Sequence, residues 1–364
     1  MRWLKRKARV LLPAFTVADW GGLHENVIHA AQALIARDHP VTLVVREGKI
    51  AEVGRQIGAE VVVVDWEDWR EVANDLARRR RHDLVFAQPF KSREFGLHVA
   101  ERLGAPLVVM FHGYAHDQAF LWERRAERIL VTAESLAHFL VQYCKISEEK
   151  VWVVPNGVPE VCFTFDQHSL DEKLRAGRGD VVLASRLAHD KRRQFEILQE
   201  IAPALESTRP DVRWGVSIYG DGPDRGFAED RMAEAVAGTN VQVTFRGWID
   251  SHDVPEIMSR AVLSVGAGRG AMQSLAVGTP CVAAGAREMV GLQHGHDLEA
   301  GMLSNFGDYA IGGYQPSPVR SSVAALLDPV RYAEVQKEGR ARVYGSLRQT
   351  RIDSLLIEAL GLES

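Results

Sequence analysis

The chain has 364 residues, which is more than one hydrophobic core usually holds, so we expect two domains of ordinary size. Apolar residues make up 46% of the chain and charged residues 25%, as in water-soluble globular proteins. The net charge of -4 gives no electrostatic case for nucleic-acid binding, and three scattered cysteines are too few for a disulfide framework or a metal site.

Short runs of Val, Ile and Leu alternate with helical patterns, as in parallel sheets whose two faces are both covered by helices. In the first half, the predicted strands are residues 9–12, 41–45, 60–64, 84–87, 107–111 and 129–132. The segment 151–158 is predicted as a strand that ends in a Pro-Asn-Gly turn. A helix is predicted at 21–37. In the second half, the predicted strands are residues 181–184, 214–218, 241–245, 262–265 and 281–284. We therefore predict an α/β protein with two Rossmann-like, doubly wound parallel-sheet domains in tandem, at residues 1–158 and 159–340, and helices in the last residues, 341–364.

A glycine-rich turn at residues 266–270 joins the strand 262–265 to a short predicted helix at 271–277. The first backbone N–H groups of a helix lack partners within the helix, and the positive end of the helix dipole lies behind them. Such a start binds phosphate. We therefore predict an anion site at Gly268, Arg269, Gly270 and Ala271.

The same turn also matches the dinucleotide pattern G-x-G-x-x-A, at Gly266, Gly268 and Ala271. Its helix has only about two turns, and the following strand does not end in the acid that a ribose hydroxyl would need. Arg287, beside Glu288, would favour a 2′-phosphate instead. An NAD(P)-dependent oxidoreductase therefore stays an alternative.

Five segments, in order, resemble the landmarks of GT-B glycosyltransferases of family 4. They are residues 153–158, Ser185-Arg186 with Lys191, residues 219–223, residues 245–249 and residues 278–280. The resemblance implies an acceptor-binding N-terminal domain, a donor-binding C-terminal domain and a nucleoside-diphosphate sugar in the cleft between them. It also implies a last helix that crosses back to the N-terminal domain. The sugar nucleotide is a substrate, and no separate cofactor is expected.

Cleavage of a glycosyl–phosphate bond leaves negative charge on the departing diphosphate, which the site must stabilise. The Arg186 guanidinium and the Lys191 ammonium suit phosphate oxygens and could replace a metal ion. The resemblance assigns both residues to the diphosphate, and we count both as catalytic. Further donor-side candidates, by the same resemblance or by their place at a glycine turn, are Gly21, Gly22, Gly220, Gly247, Trp248, Ile249 and Gln273.

His112 follows the predicted strand 107–111 at the carboxyl edge of the sheet, where open α/β sheets bind ligands. The resemblance places a histidine at this position beside the reacting sugar, so we predict that His112 is catalytic. Candidates for the acceptor side are Asp19, Trp20, His24, Gln88, His116 and Asp117.

One landmark departs from the family. The two glutamates of its E-x7-E motif are replaced by Val265 and Gln273, and no acid occurs between Glu256 and Glu288. An amide accepts a hydrogen bond less strongly than a carboxylate does. A catalytically silent protein that binds a nucleotide sugar is therefore a second alternative to a retaining transferase of polysaccharide synthesis.

Basic residues of the first half form clusters that suit either solvated helix faces or an anionic membrane. The clusters are Arg2, Lys5, Arg6, Lys7 and Arg9; residues 78–81; and Arg124, Arg125 and Arg128. No apolar run approaches the roughly 20 residues that span a bilayer. We expect a cytoplasmic protein with peripheral contact at the inner face of the membrane. The acceptor, whether glycan, lipid or small molecule, stays open.

Overall fold

The computed structural model describes residues 7–17, 20–79 and 81–363, in two compact units. Unit 1 holds residues 1–156 and 350–364, and unit 2 holds residues 157–349. The predicted domain limits were 158 and 340. The chain thus leaves the first unit, forms the second, and returns with its last residues to the core of the first.

Unit 1 is built on one parallel sheet whose strands nearly all coincide with predicted apolar runs. The strands are β1 (Val10–Pro13), β2 (Val41–Val45), β3 (Glu60–Val63), β4 (Leu84–Ala87), β5 (Leu107–Phe111), β6 (Arg128–Val131) and β7 (Val151–Val153), in the order β3-β2-β1-β4-β5-β6-β7. Because β2, β4 and β5 are entirely buried, their sequences lack polar alternation. The strand predicted to end in the Pro-Asn-Gly turn is β7, whose last residue, Val153, lies shortly before that turn.

The helices of this unit connect its parallel strands. They are α1 (Gly22–Ile35), α2 (Lys49–Gln56), α3 (Trp69–Arg79), α4 (Lys91–Leu103), α5 (Ala119–Trp122) and α6 (Glu134–Gln142). In α1 the predicted period is observed, since Val27, Ala31 and Leu34 are all fully buried.

Unit 2 has a second sheet of mostly parallel strands. The strands are β8 (Arg178–Ala184), β9 (Arg213–Tyr219), β10 (Gln242–Gly247), β11 (Leu263–Gly266), β12 (Cys281–Ala284) and β13 (Met289–Leu292), in the order β10-β9-β8-β11-β12-β13. The last strand was not predicted, and it pairs antiparallel to β12 at the edge of the sheet. Along β8, Val181 and Leu183 belong to one hydrophobic core and Val182 to another, so both faces of the sheet are covered.

Eight helices of the described chain belong to this second unit. They are α7 (Leu170–Lys173), α8 (Arg192–Thr208), α9 (Arg225–Ala235), α10 (Val254–Arg260), α11 (Gly268–Ala276), α12 (His296–Leu303), α13 (Val319–Leu326) and α14 (Pro329–Leu347). Residues 301–303 form the end of α12, so the glycine-containing segment 301–315 is not a loop throughout.

The last helix, α15 (Gln349–Ala359), packs in the core of unit 1. Its residues Ile352, Leu356 and Ile357 are buried in the same hydrophobic cluster as Val10 and Leu12 of β1. Arg128, at the start of β6, donates hydrogen bonds to the carbonyl oxygens of residues 358 and 359. The closing helix therefore completes the first core.

The α/β class and the two Rossmann-like sheets predicted from the sequence are confirmed. No described helix combines the length and the apolar character that crossing a bilayer requires.

Candidate functional site

The predicted donor residues of unit 2 lie at or after the carboxyl ends of its strands. Since β8 and β11 are neighbours, the strand order reverses between them, and such a switch point is where open α/β sheets bind ligands. Arg186 and Lys191 follow β8, and the residues from Gly268 to Gln273 lie on α11 directly after β11. The topology thus brings the two predicted phosphate-binding segments to one edge of the sheet.

Arg186 and Lys191 differ in the exposure of their side chains and in the distance to their carboxylate partners. The Arg186 side chain is 51% exposed, with one nitrogen 3.5 Å from a carboxylate oxygen of Asp190. The Lys191 side chain is only 15% exposed, and its Nζ lies 2.9 Å from Asp308 Oδ1 and 3.7 Å from Asp190 Oδ2. Both cations thus face a carboxylate, but the Arg186 side chain is much more open to a ligand in solution than that of Lys191.

The start of α11 corrects one detail of the predicted anion site. The helix begins at Gly268, earlier than predicted, and its first N–H groups have partners within the protein. Gly268 N donates to the Asn305 carbonyl oxygen at 3.1 Å, and the N–H groups of Gly270 and Ala271 donate to the Ala267 carbonyl. These three groups therefore do not point outward unpaired.

Asp308 and Asn305 are residues of this edge that sequence reasoning missed. A Cβ atom added to Gly268 would lie 2.6 Å from Asp308 Oδ2, and the φ angle of Gly268 is +48°. Only glycine leaves room there for the carboxylate. The sequence signal for this contact is Gly268 itself, and a glycine does not indicate which side chain packs against it.

The turns after β9 and β10 are joined to each other and to the segment that carries Arg186. Gly220 N donates to the Gly247 carbonyl oxygen at 2.7 Å, and a Cβ atom on Gly220 would lie 1.8 Å from the Ser185 carbonyl oxygen. Beyond Gly247, which has a φ angle of +74°, the Trp248 side chain is exposed and Ile249 is half-buried. The three turns thus form one connected rim.

Two further predicted donor residues lie on α11. Gln273 and Arg269 are both half-buried. Arg269 is close enough to Cys162 for its positive charge to act on the thiol, although burial is the larger effect and raises the pKa of Cys162 to about 11. The thiol is therefore protonated at neutral pH.

In unit 1 the strand order reverses between β1 and β4, and four predicted residues follow strands near that point. Gly21 and Gly22 open α1, Gln88 follows β4, and His112 follows β5. His112 Nε2 lies 2.6 Å from Gln88 Oε1. Burial lowers the pKa of His112 to about 4, so its imidazole is neutral at neutral pH.

The start of α1 holds a small aromatic stack. Trp20 and the buried ring of His24 lie 5.5 Å apart, nearly parallel at 24°, and Lys49 Nζ lies 4.9 Å from the centre of the Trp20 ring. No described atom lies within 4 Å of where a Cβ on Gly21 or Gly22 would be, so both glycines border open space. Asp19 lies outside the described residues.

Asp117 and His116 occupy the loop after β5. The buried Asp117 carboxylate accepts two hydrogen bonds from Arg93, at 2.7 and 3.0 Å, and one from the Phe90 N–H group. Because these bonds occupy the carboxylate, we assign Asp117 to the structure of the loop. His116 is exposed, and its Nδ1 accepts from Gln118 N.

Two family models match the chain in sequence order. Residues 20–160 match Glycosyltransferase Family 4, and residues 178–310 match Glycosyl transferases group 1. Both models describe glycosyltransferases, and neither describes a dinucleotide-dependent oxidoreductase. No curated protein matches the chain significantly in sequence.

Solved structures share the fold at low identity. HepE of Anabaena, solved in complex with UDP and glucose, is 16% identical, with 97% of this chain and 99% of that chain covered and a TM-score of 0.69. A glycosyltransferase from Rickettsia africae is 13% identical, with the same coverage and a TM-score of 0.72. Sucrose-phosphate synthase from Thermosynechococcus elongatus is 16% identical, with 96% and 98% covered and a TM-score of 0.62. With its two matched halves and this fold, the chain belongs to the GT-B glycosyltransferases of the family 4 and group 1 type.

Proposed function

We propose that this glycosyltransferase moves a sugar from a nucleoside-diphosphate donor to an acceptor hydroxyl, without a bound metal ion and with retention of the anomeric configuration. The acceptor would belong to glycan synthesis, such as that of a cell-envelope polysaccharide. The observation that carries the proposal is the pair Arg186 and Lys191 at the switch point of unit 2, where the strand order reverses between β8 and β11.

In the donor half of the proposal, the two cations stabilise the diphosphate as it leaves the sugar. The exposed Arg186 guanidinium can approach two phosphate oxygens at once, and Lys191 adds a point charge. The rim formed by Gly220, Gly247 and Trp248 would hold the nucleoside. The bound UDP in the fold neighbour HepE supports a nucleoside diphosphate as the ligand class.

In the other half, His112 and Gln88 would contact hydroxyl groups of the substrates. With Nε2 donating to Gln88 Oε1, the neutral imidazole keeps its other nitrogen as the hydrogen-bond acceptor. Gln88 Nε2 is buried and has no acceptor among the described residues. A buried N–H donor without an acceptor destabilises the fold. A ligand oxygen that accepts this hydrogen bond would remove the cost, which supports a substrate site here.

The first test is binding of UDP, GDP, ADP, CMP, TDP and NAD(P), measured by thermal shift and calorimetry. One nucleoside diphosphate should stabilise the protein, and Arg186→Ala and Lys191→Ala should each weaken its binding at least about tenfold. Arg213→Ala, at the amino end of β9, is the matched control and should bind as the wild type does. A response to NAD(P) alone, or to no nucleotide, would contradict the proposal.

The second test is turnover with the sugar nucleotide of the base so identified. NMR of the product should show the donor's anomeric configuration, and EDTA should leave the rate unchanged. Inversion or a metal requirement would refute those parts of the proposal. Binding without any turnover would instead favour a silent nucleotide-sugar-binding protein.

We also propose that unit 1 contacts an anionic membrane through the segment around α5. Phe120 and Leu121 expose their apolar side chains, and Arg124 and Arg125 follow in an exposed 3-10 turn. Apolar and basic side chains side by side suit a surface of anionic lipid. Vesicles with phosphatidylglycerol should co-sediment the protein, and Phe120→Ser with Leu121→Ser should abolish this. Val63→Ser, on the far edge strand β3, should have no effect.

A further inference from the structure

Asp308 places a carboxylate beside the lysine that the proposed function assigns to the diphosphate. Its Oδ1 accepts a hydrogen bond from Lys191 Nζ at 2.9 Å, and its Oδ2 accepts one from Asn305 Nδ2 at 3.3 Å. The same carboxylate lies against Gly268, where α11 begins. A negative charge therefore already occupies the place that the donor diphosphate would use.

The segment before Asp308 is fixed in a conformation that costs energy. Asn305, Phe306 and Gly307 have consecutive positive φ angles of +53°, +57° and +90°. The Phe306 side chain is fully buried, and the Gly307 carbonyl accepts hydrogen bonds from the N–H groups of Arg287 and Glu288. Strained backbone persists only where surrounding contacts hold it, so the position of the carboxylate is built into the fold.

Arg186 and Lys191 each face a carboxylate before any donor binds. Lys191 faces Asp308 and, at 3.7 Å, Asp190, while Arg186 faces Asp190 at 3.5 Å. The two cations are thus matched by two carboxylates, and Asp308 also meets the positive end of the α11 dipole. A diphosphate that arrives here competes with Asp308 for the same lysine and the same helix start.

The side chain of Asn305 is a second observation that points to a ligand beside Asp308. Its side chain is 6% exposed, and its Nδ2 bonds to Asp308, but its Oδ1 has no hydrogen-bond partner among the residues that the structure describes. A buried acceptor without a donor is unfavourable. A hydroxyl group of a bound donor sugar would satisfy it.

We propose that the Asp308 carboxylate occupies Lys191 in the free enzyme and that the donor diphosphate displaces it from Lys191. Asp308 then pairs with Lys191 again as the nucleoside diphosphate leaves. This inference rests on the proposed function and deepens it. Asp308 lowers the affinity of the site for the nucleoside diphosphate and so favours product release. The carboxylate thereby limits inhibition by the product.

The test compares the wild type with Asp308→Asn by calorimetry, using the nucleoside diphosphate that stabilises the wild type. Removal of the competing charge should tighten binding about tenfold at low salt, and the gain should shrink as salt rises. In turnover assays, the variant should be inhibited by correspondingly lower concentrations of this product. The matched control is Asp190→Asn, since Asp190 lies farther from Lys191 and its side chain is 44% exposed against 23% for Asp308, so its gain should be smaller.

Two outcomes separate this inference from the proposed function. Unchanged or weaker binding by folded Asp308→Asn, together with weakened binding by Lys191→Ala, overturns the inference alone. No binding by the wild type overturns the proposed function and the inference with it. If Asp308→Asn fails to fold, as judged by circular dichroism, Asp308→Ser takes its place. Tighter binding by that variant is expected, and unchanged or weaker binding overturns the inference.

Discussion

At the scale of single residues, the pair His112 and Gln88 shows how burial selects a chemical form. The low pKa of His112 comes from burial, which disfavours the imidazolium. Gln88 is uncharged and therefore does not offset that penalty. The hydrogen bond between them fixes the orientation of the ring without changing its charge.

His112 should make the folded protein lose stability as the pH falls from about 6.5 towards 4. Over that interval the unfolded chain takes up a proton at this histidine and the folded chain does not, so the free energy of unfolding falls. The loss should be about 2 kcal/mol in the wild type, allowing for some access of water to the ring. Urea unfolding at pH 7 and pH 4.5 measures it, and His112→Asn should remove this component. An equal pH dependence in both proteins would contradict the assignment.

Replacing Gln88 with glutamate should raise the pKa of His112, because a carboxylate beside the ring favours the charged form. An NMR titration of the His112 ring should show a shift of at least about one pKa unit. If the neutral imidazole serves catalysis, the acid limb of the pH–rate profile should move upward with it. Gln142→Glu, on the exposed end of α6, should change neither the titration nor the profile.

Some residues of the site follow from the sequence and others do not. Each of the four predicted positions follows a buried apolar run, and parallel strands bring such positions to the carboxyl edge of their own sheet. Gln88 and His112 lie at that edge in unit 1, and Arg186 and Lys191 lie at that edge in unit 2. Asp308 follows no strand. It meets Lys191 only because the chain returns over a separation of 117 residues, which no local pattern encodes.

At the scale of secondary-structure elements, the turn after β9 couples the shape of the rim to the segment that carries Arg186. Gly220→Ala would bring a Cβ atom to 1.8 Å from the Ser185 carbonyl oxygen, at a φ angle of +134°. The substitution should destabilise unit 2 by more than about 3 kcal/mol and weaken nucleotide binding, because the backbone at Ser185 must move. Denaturant unfolding and calorimetry measure the two effects.

The control for this turn lies on the next helix. Gly226 is in α9, and no described atom lies within 4 Å of where its Cβ would be. Gly226→Ala should therefore leave stability within about 0.5 kcal/mol of the wild type. Equal effects of the two substitutions would mean that the close approach at Gly220 does not hold the rim.

Elements were predictable where burial on both faces leaves an unbroken apolar run, as in β2, β4, β5 and β12. Prediction was poorer where an element's limits depend on distant contacts. The helix α11 begins at Gly268 because Asn305 accepts its first N–H group, and β13 forms because β12 offers a free edge. Asn305 is distant from α11 in the sequence, so no local pattern points to that contact, whereas the partner of β13 is the neighbouring strand β12, which was predicted.

At the scale of the whole molecule, the first hydrophobic core is completed last, because the final residues of the chain belong to unit 1. Unit 1 lacks part of its core until residues 350–364 have been made, since Ile357 and Leu360 are fully buried there. The apolar period of the last helix predicts an amphipathic element, but only the known pattern of the family suggested which core it joins.

The closing helix should therefore control the stability of unit 1 and not that of unit 2. Ile357→Ala removes a fully buried side chain from the first core and should lower the free energy of unfolding of unit 1 by about 2–5 kcal/mol. Calorimetric scanning should show the transition of unit 1 at a lower temperature, with that of unit 2 in place, because the two units have separate hydrophobic clusters. Glu358→Ala, at the exposed neighbouring position, should change neither transition. An equal downward shift of both transitions would show that the two units unfold as one, and that the helix stabilises more than the core in which it is buried.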